Sequence, residues 1–344
     1  MDKEGANLAD RTLSDGLKMV LAGSGERLRL LRRVLHAGLQ PKVAETYEPI
    51  QTSHAKNLVL DILNDLKNHQ GHAMRLSQLK AWHQDDLALF NGQSDAVRRH
   101  MREGTARPSF ARFILEHQKQ YQFEDKELGY IAGGILSAIT IMIMATTTHT
   151  DEQAHLQEKL DEVVRRMRLP TFNDQKMLPQ VTAFMLESFR WRPVNLGGFG
   201  HRATKDIIWR DHLIPAGATV IVNHWAIAND PEVFPEPHKF NPQRWIDDAG
   251  LVRDDLRFFA FGFGRRLSRS ARQESVPLYH LTTALILWAF RLSENPAAKI
   301  DTLAFSDTAN IYAAPFEICV QKRINENVIR KLKIGRGKLM DLQR

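Results

Sequence analysis

The sequence predicts a mainly α protein with a small β portion, and three observations carry that reading. Apolar residues in the first half recur at spacings of three and four, as in Leu28, Leu31, Leu35 and again in Val59, Ile62, Leu63, Leu66, the period of an amphipathic helix. After Trp191 the texture changes, and Pro193, Gly197, Gly198, Gly200, Pro215 and Gly217 punctuate short β-rich runs. The composition is that of an ordinary globular chain, 344 residues with 43% hydrophobic and 25% charged. One domain over 1–344 is expected, helix-rich over 1–190 and richer in strands and loops over 191–344, where a last long helix and C-terminal strands follow.

Amphipathic helices run from Thr12 to Ser77 and, with aromatic punctuation, from Gln78 to Phe123. The longest uncharged run, Tyr130 to Thr148, is long enough for a membrane span. Its Ser and four Thr, and the charged helical segments on both sides, assign it instead to a buried core helix. A charged helix follows over Asp151 to Met167 and a short one over Leu178 to Arg190. Thr219 to Asn223 is a candidate strand, Asp230 to Trp245 is Pro-rich, FFAFGFGRR is a Gly-aromatic loop, and a final apolar helix covers Leu281 to Phe290. No internal repeat is present.

Lys plus Arg is 47 against 40 for Asp plus Glu, a net charge of +7, but the basic residues are scattered. The tail residues Arg330, Lys331, Lys333, Arg336 and Lys338 lack aromatic interleaving, so no nucleic-acid partner is assigned. A lone cysteine, Cys319, excludes an internal disulfide and a cysteine-rich metal site, and points to a reducing compartment. Met1 to Arg11 has no apolar region of a signal peptide, so a soluble, cytoplasmic chain is expected. No metal site is assigned: His69 with His72, and His149 with His155, lack a convergent third ligand. Asp85–Asp86 and Asp254–Asp255 are followed by Leu89 and Phe258 where a diphosphate-binding acid set needs another carboxylate. Ala22 to Glu26 (AGSGE) lacks the Lys-Ser/Thr of a phosphate loop.

Chemistry gathers in the second half. Glu187 and Arg190, within ESFRWRP, share one helical face at i, i+3, and Arg244 arrives from FNPQRW. A buried carboxylate persists when guanidinium donors pair it in this way. The order of ESFRWRP, the segment His201 to Trp245 and FGFGRR resembles the cytochrome P450 family, most closely its fungal microsomal branch. The resemblance implies the P450-like fold, incomplete at the N-terminus, with Glu187, Arg190 and Arg244 as the family's structural ion network. It also implies a haem-binding function, with Arg32 (in GERLRLLRRVLH), His201 and Arg266 as propionate partners. By the same resemblance the substrate is an apolar small molecule, the redox partner an NADPH-P450 reductase, and family members are anchored to the endoplasmic reticulum, whereas about a hundred N-terminal residues and any anchor are absent here.

The departures decide the chemistry. The family's proximal cysteine, whose thiolate pushes electron density onto the iron, falls at Ser268, and Cys319 lies 51 positions further on in a predicted strand. The acid and alcohol of the family's AGxDT are missing from AGGILSA, the apolar helix is about eight residues or two turns short, and Leu28 replaces a Trp. Ser268 to His280 matches nothing in the family, yet the pattern resumes at LILWAF. One coding sequence for Leu267 to Ser275, CTG TCC CGG TCA GCA CGT CAG GAA TCG, reads Cys-Pro-Gly-Gln-His-Val-Arg-Asn one nucleotide on. Three readings follow. The first is a degenerate relative without thiolate-haem monooxygenation. The second is a redox-independent cyclising or isomerising catalyst of secondary metabolism, acting on a terpenoid-like molecule, in which Arg32, His201 and Arg266 hold an anionic substrate and haem is not bound. The third is a haem-dependent monooxygenase whose cysteine loop is misread.

Overall fold

The structure is a computed structural model. It describes residues 29, 33, 37, 40–68, 74–75, 95, 97–106, 108–117, 138–166, 168–194, 196, 200–256, 259–260, 262, 269–304, 314 and 316–330. A turn of helix at Pro41–Ala44 and a 3-10 turn at Glu45–Tyr47 lead into α1, Glu48–Asn68. Its apolar residues Ala55, Val59, Leu60, Ile62 and Leu63 are buried, the i, i+4, i+7, i+8 stripe that turns one helix face to a core. Phe110–Glu116 forms α2.

Residues 138–148 form α3, and Ile141 through Thr147 are all buried. A helix apolar all round belongs inside a core, as expected for this run; its first part, 130–137, lies outside the described residues. The threonines fit because Thr146, Thr147 and Thr148 each donate to the carbonyl four residues back, at 2.7, 2.7 and 2.9 Å. Among the described residues no helix is long and apolar enough to cross a membrane.

The chain turns at His149 into α4, Thr150–Val163, and a 3-10 helix at Phe172–Met177 leads to α5, Pro179–Trp191, with Pro179 in the first turn where its missing N–H is harmless. Everything in α5 from Val181 to Trp191 is buried. Strand β1 is Met74–Arg75. Strands β2 (His201–Arg202) and β5 (Thr219–Val220) pair antiparallel with His201 opposite Val220, and β3 (Ile207–Trp209) and β4 (His212–Ile214) form a hairpin. The expected strand Thr219 to Asn223 stops at Val220 because Asn223 instead caps α6, His224–Ala228, accepting the Ala226 N–H at 2.9 Å.

The last helix, α7, spans Arg269–Ala289 and starts twelve residues before the expected Leu281. The sequence pattern marks only its apolar end, where Leu281 and Ala284 to Ala289 are buried. Phe290, expected as helix, opens β6 (Phe290–Glu294), which pairs with β7 (Glu317–Lys322) in a three-stranded sheet of order β1-β7-β6; α8 is Glu326–Arg330. One core joins α1, α3, α4, α5, α7 and this sheet; a second joins α3, α5, Phe234, Trp245 and Tyr279.

Candidate functional site

The structure brings Glu187, Arg190 and Arg244 together. Glu187 is fully buried, and its Oε1 accepts from Arg190 Nη2 at 2.8 Å, Arg244 Nε at 3.1 Å and the Asn241 N–H at 2.8 Å. Its Oε2 accepts from Arg190 Nε and from Trp245 Nε1, at 2.8 and 2.9 Å. A carboxylate out of water is tolerated when charge-assisted donors fill its lone pairs. Arg190, equally buried, spends Nη1 on the carbonyls of Ala228 and Pro237, both at 2.8 Å. Arg244 reaches the carbonyls of Pro235 and Lys239. The three side chains therefore pin the Pro-rich stretch 228–245 onto α5. Trp245 and the Asn241 amide were not picked out in the sequence; FNPQRW holds both, and Asn241 caps the 3-10 turn Pro242–Trp245 that aims the indole inward.

Arg192 is a further buried cation that the sequence reading passed over. It donates to the Thr302 carbonyl and hydroxyl at 2.7 and 2.9 Å and to the Trp191 carbonyl, and stacks on Trp191 with its guanidinium carbon 4.0 Å from the ring centre. Burial, with Arg190 nearby, lowers its pKa to about 10. His149 is stacked on Phe240, ring centres 4.2 Å apart, and burial lowers its pKa.

His201 sits half-buried in β2, paired in register with Val220. Arg32, Arg266 and Ser268 lie outside the described residues, as do Leu28, His69, His72, Asp85, Asp86, 22–26 and the basic tail beyond Arg330. Of the Gly-aromatic loop, Phe259 is buried, its ring 5.5 Å from that of His224. Cys319 stands in β7 opposite Ser293 of β6, in the strand predicted for it. Between α3 and α7 a crevice of about 210 Å³ is lined by Ile139, Met142, Ile143, Thr146, Thr283, Ile286 and Leu287.

Haem-thiolate ligation needs a deprotonated sulfur, and the position that the family resemblance assigns to it holds Ser268. A serine hydroxyl remains protonated near neutral pH, so the donor present does not fit the group.

The protein-family profile described as Cytochrome P450 matches residues 134–267. Cytochrome P450 monooxygenases 64 and 88 of Postia placenta are each 38% identical over 390 aligned positions, covering 94% of this chain and 79% of their own length. Those alignments are longer than the chain, so the relatives carry internal residues that it lacks. Cytochrome P450 monooxygenase fogE of Aspergillus ruber is 27% identical, covering 89% of this chain and 72% of its own. A solved zebrafish cytochrome P450, determined with abiraterone, superposes with a TM-score of 0.71 at 18% identity, covering 92% of this chain and 87% of that one, and so shares the fold. By its sequence kinship along nearly its full length, the chain belongs to the cytochrome P450 family.

Proposed function

We propose that this member of the family does not carry out thiolate-haem monooxygenation, and that the reaction open to it is redox-independent, the cyclisation or isomerisation of an apolar, terpenoid-like molecule in secondary metabolism. One observation carries the reading: the family match ends at Leu267, and the next residue is serine where the iron's thiolate belongs. A shaped apolar pocket with a few polar groups can accelerate such reactions by orientation alone. Arg32, His201 and Arg266 would then hold an anionic group of the substrate, with neither haem nor an NADPH-P450 reductase required.

A second reading has its own support. The relatives align with 94% of the chain, which carries the kinship well past Ser268, while the stretch up to His280 places Pro277 inside α7 and, among the described residues, a histidine with an unpartnered nitrogen in the core. A cysteine loop displaced by one nucleotide accounts for this, and the natural protein would then be a haem-dependent monooxygenase served by an NADPH-P450 reductase.

The test is the absorption spectrum of protein expressed with excess haem, reduced and exposed to CO. The expected result is no band near about 450 nm, the mark of a thiolate-ligated haem, with turnover of apolar substrates in haem-free protein. A band there overturns the first reading. A coding sequence in which no frame yields Cys-Pro-Gly at this point removes the second.

A further inference from the structure

Eight large apolar side chains stand exposed among the described residues, and four of them, Ile208, Trp209, Leu213 and Ile221, fall within one stretch of fourteen. A cluster of this kind marks a contact surface, where scattered ones would need no explanation. Three of the four belong to the β3–β4 hairpin, which pairs Ile208 with Leu213 and Trp209 with His212. Side chains alternate across a strand, so Ile208 and Leu213 stand together on one face and Trp209 on the other. Both faces are open: Ile208 is 72% exposed, Leu213 58% and Trp209 57%. The turn carries Arg210, whose guanidinium carbon lies 4.9 Å from the centre of the Trp209 ring. Arg210 has φ 51°, a conformation that glycine, asparagine or aspartate adopts at less cost, so the turn itself does not call for an arginine.

We propose that the β3–β4 hairpin docks this protein on the surface of a phospholipid bilayer, with Ile208, Trp209 and Leu213 among the headgroups and upper acyl carbons and Arg210 on a phosphate. The hairpin's two open faces select this partner. A protein groove covers one face and leaves the other wet, whereas lipid is fluid and closes round both. The backbone sets the depth. Among the described residues β3 and β4 pair only with each other, so each keeps an outer edge of N–H and C=O groups that hydrocarbon does not satisfy. Strands of three residues, about 10 Å long, match the roughly 5–10 Å to which interfacial segments bury. Tryptophan favours that level, with its ring in an apolar layer and its N–H wet. Arg210 and Lys205 complement phosphate; Asp211 opposes them, while Asp206 is engaged by the Ala216 N–H at 2.7 Å. The net charge of +7 adds a long-range attraction to anionic lipid. The docking holds under either reading of the chemistry and needs no spanning helix.

Co-sedimentation of the full chain with vesicles of phosphatidylcholine, alone and mixed with phosphatidylserine, tests the docking. The expected result is binding to both, tighter to the mixture. Replacing Ile208→Ser together with Leu213→Ser should lower the partition coefficient about tenfold or more, because two aliphatic side chains no longer leave water. Both positions are exposed, so the double variant keeps its fold, which circular dichroism checks. Arg210→Gln should narrow the gap between the two vesicles, and an unchanged gap overturns its contact with phosphate. No sedimentation with either vesicle overturns the proposal, as does binding that the double substitution leaves unchanged. A dimer in vesicle-free solution that the double substitution dissociates overturns it as well, by giving the surface to a second copy of the chain.

Discussion

Helix α5 faces two regions of very different quality. On one side it carries Glu187 and Arg190, where a buried carboxylate receives donors from Arg190, Arg244, Asn241 and Trp245 and each guanidinium finds carbonyls for its remaining hydrogens. On the other, Thr182 and Phe189 meet the middle of α7: Phe189 packs edge-on to Tyr279 with ring centres 5.5 Å apart, and Thr182 Oγ1 lies 3.0 Å from Nδ1 of His280. His280 is buried and its Nε2 has no partner among the described residues. Buried polar groups in native cores are matched almost without exception. The knotted ion network around Glu187 meets that standard, while His280 in α7 does not.

Breaking the knot gives the largest effect. Glu187→Gln removes the charge that two buried guanidinium groups share, and stranding an unpaired buried ion costs about 3–5 kcal/mol. Chemical denaturation should show an unfolding free energy lowered by that amount, or no cooperative transition at all. An unchanged midpoint would mean that the knot is not the framework's anchor.

The next effect reads the other region by pH. Burial lowers the pKa of His280 to about 4, with Asp174 nearby opposing the shift. The unfolded chain holds the ordinary value of 6.5, so below pH 6.5 the unfolded state binds the proton first, and stability falls as pH drops from about 6.5 to 4. Two and a half units correspond to a loss on the order of 3 kcal/mol. His280→Leu should flatten the stability profile over that window and leave the neutral value equal or higher, because it removes an unmatched nitrogen; Thr182 can turn its hydroxyl to its own helix's carbonyls. A profile as steep as that of the unsubstituted protein would place the acid sensitivity elsewhere.

Much of the framework was legible from residues alone. The core helix at 138–148 followed from an uncharged run, a short helix over Leu178 to Arg190 was expected where α5 forms, and the meeting of Glu187 with Arg190 and Arg244 followed from the family resemblance that motif order carries. What escaped reading has physical reasons. The start of helix α7 at Arg269 escaped because the sequence of its opening turns carries no apolar stripe for periodicity to detect. Arg192 was passed over because its partners, Thr302 and the Trp191 ring, are neither acidic nor close in sequence in the first case, and a pattern of charges cannot reveal them.

The smallest effect separates the two kinds of partner within the knot. Trp245 gives Glu187 Oε2 one hydrogen bond at 2.9 Å and packs against Phe234, their ring centres 6.0 Å apart. Trp245→Phe keeps an aromatic ring in that space and removes the indole N–H, leaving Arg190 Nε on the same oxygen. A hydrogen bond to a charged group is worth about 1.5–3 kcal/mol, so the denaturation midpoint should fall by less than for Glu187→Gln while the transition stays cooperative. If the two variants were equally damaging, the indole rather than the ion pairs would be holding 228–245 to α5, and the contrast with His280 would then rest on packing instead of on polar matching.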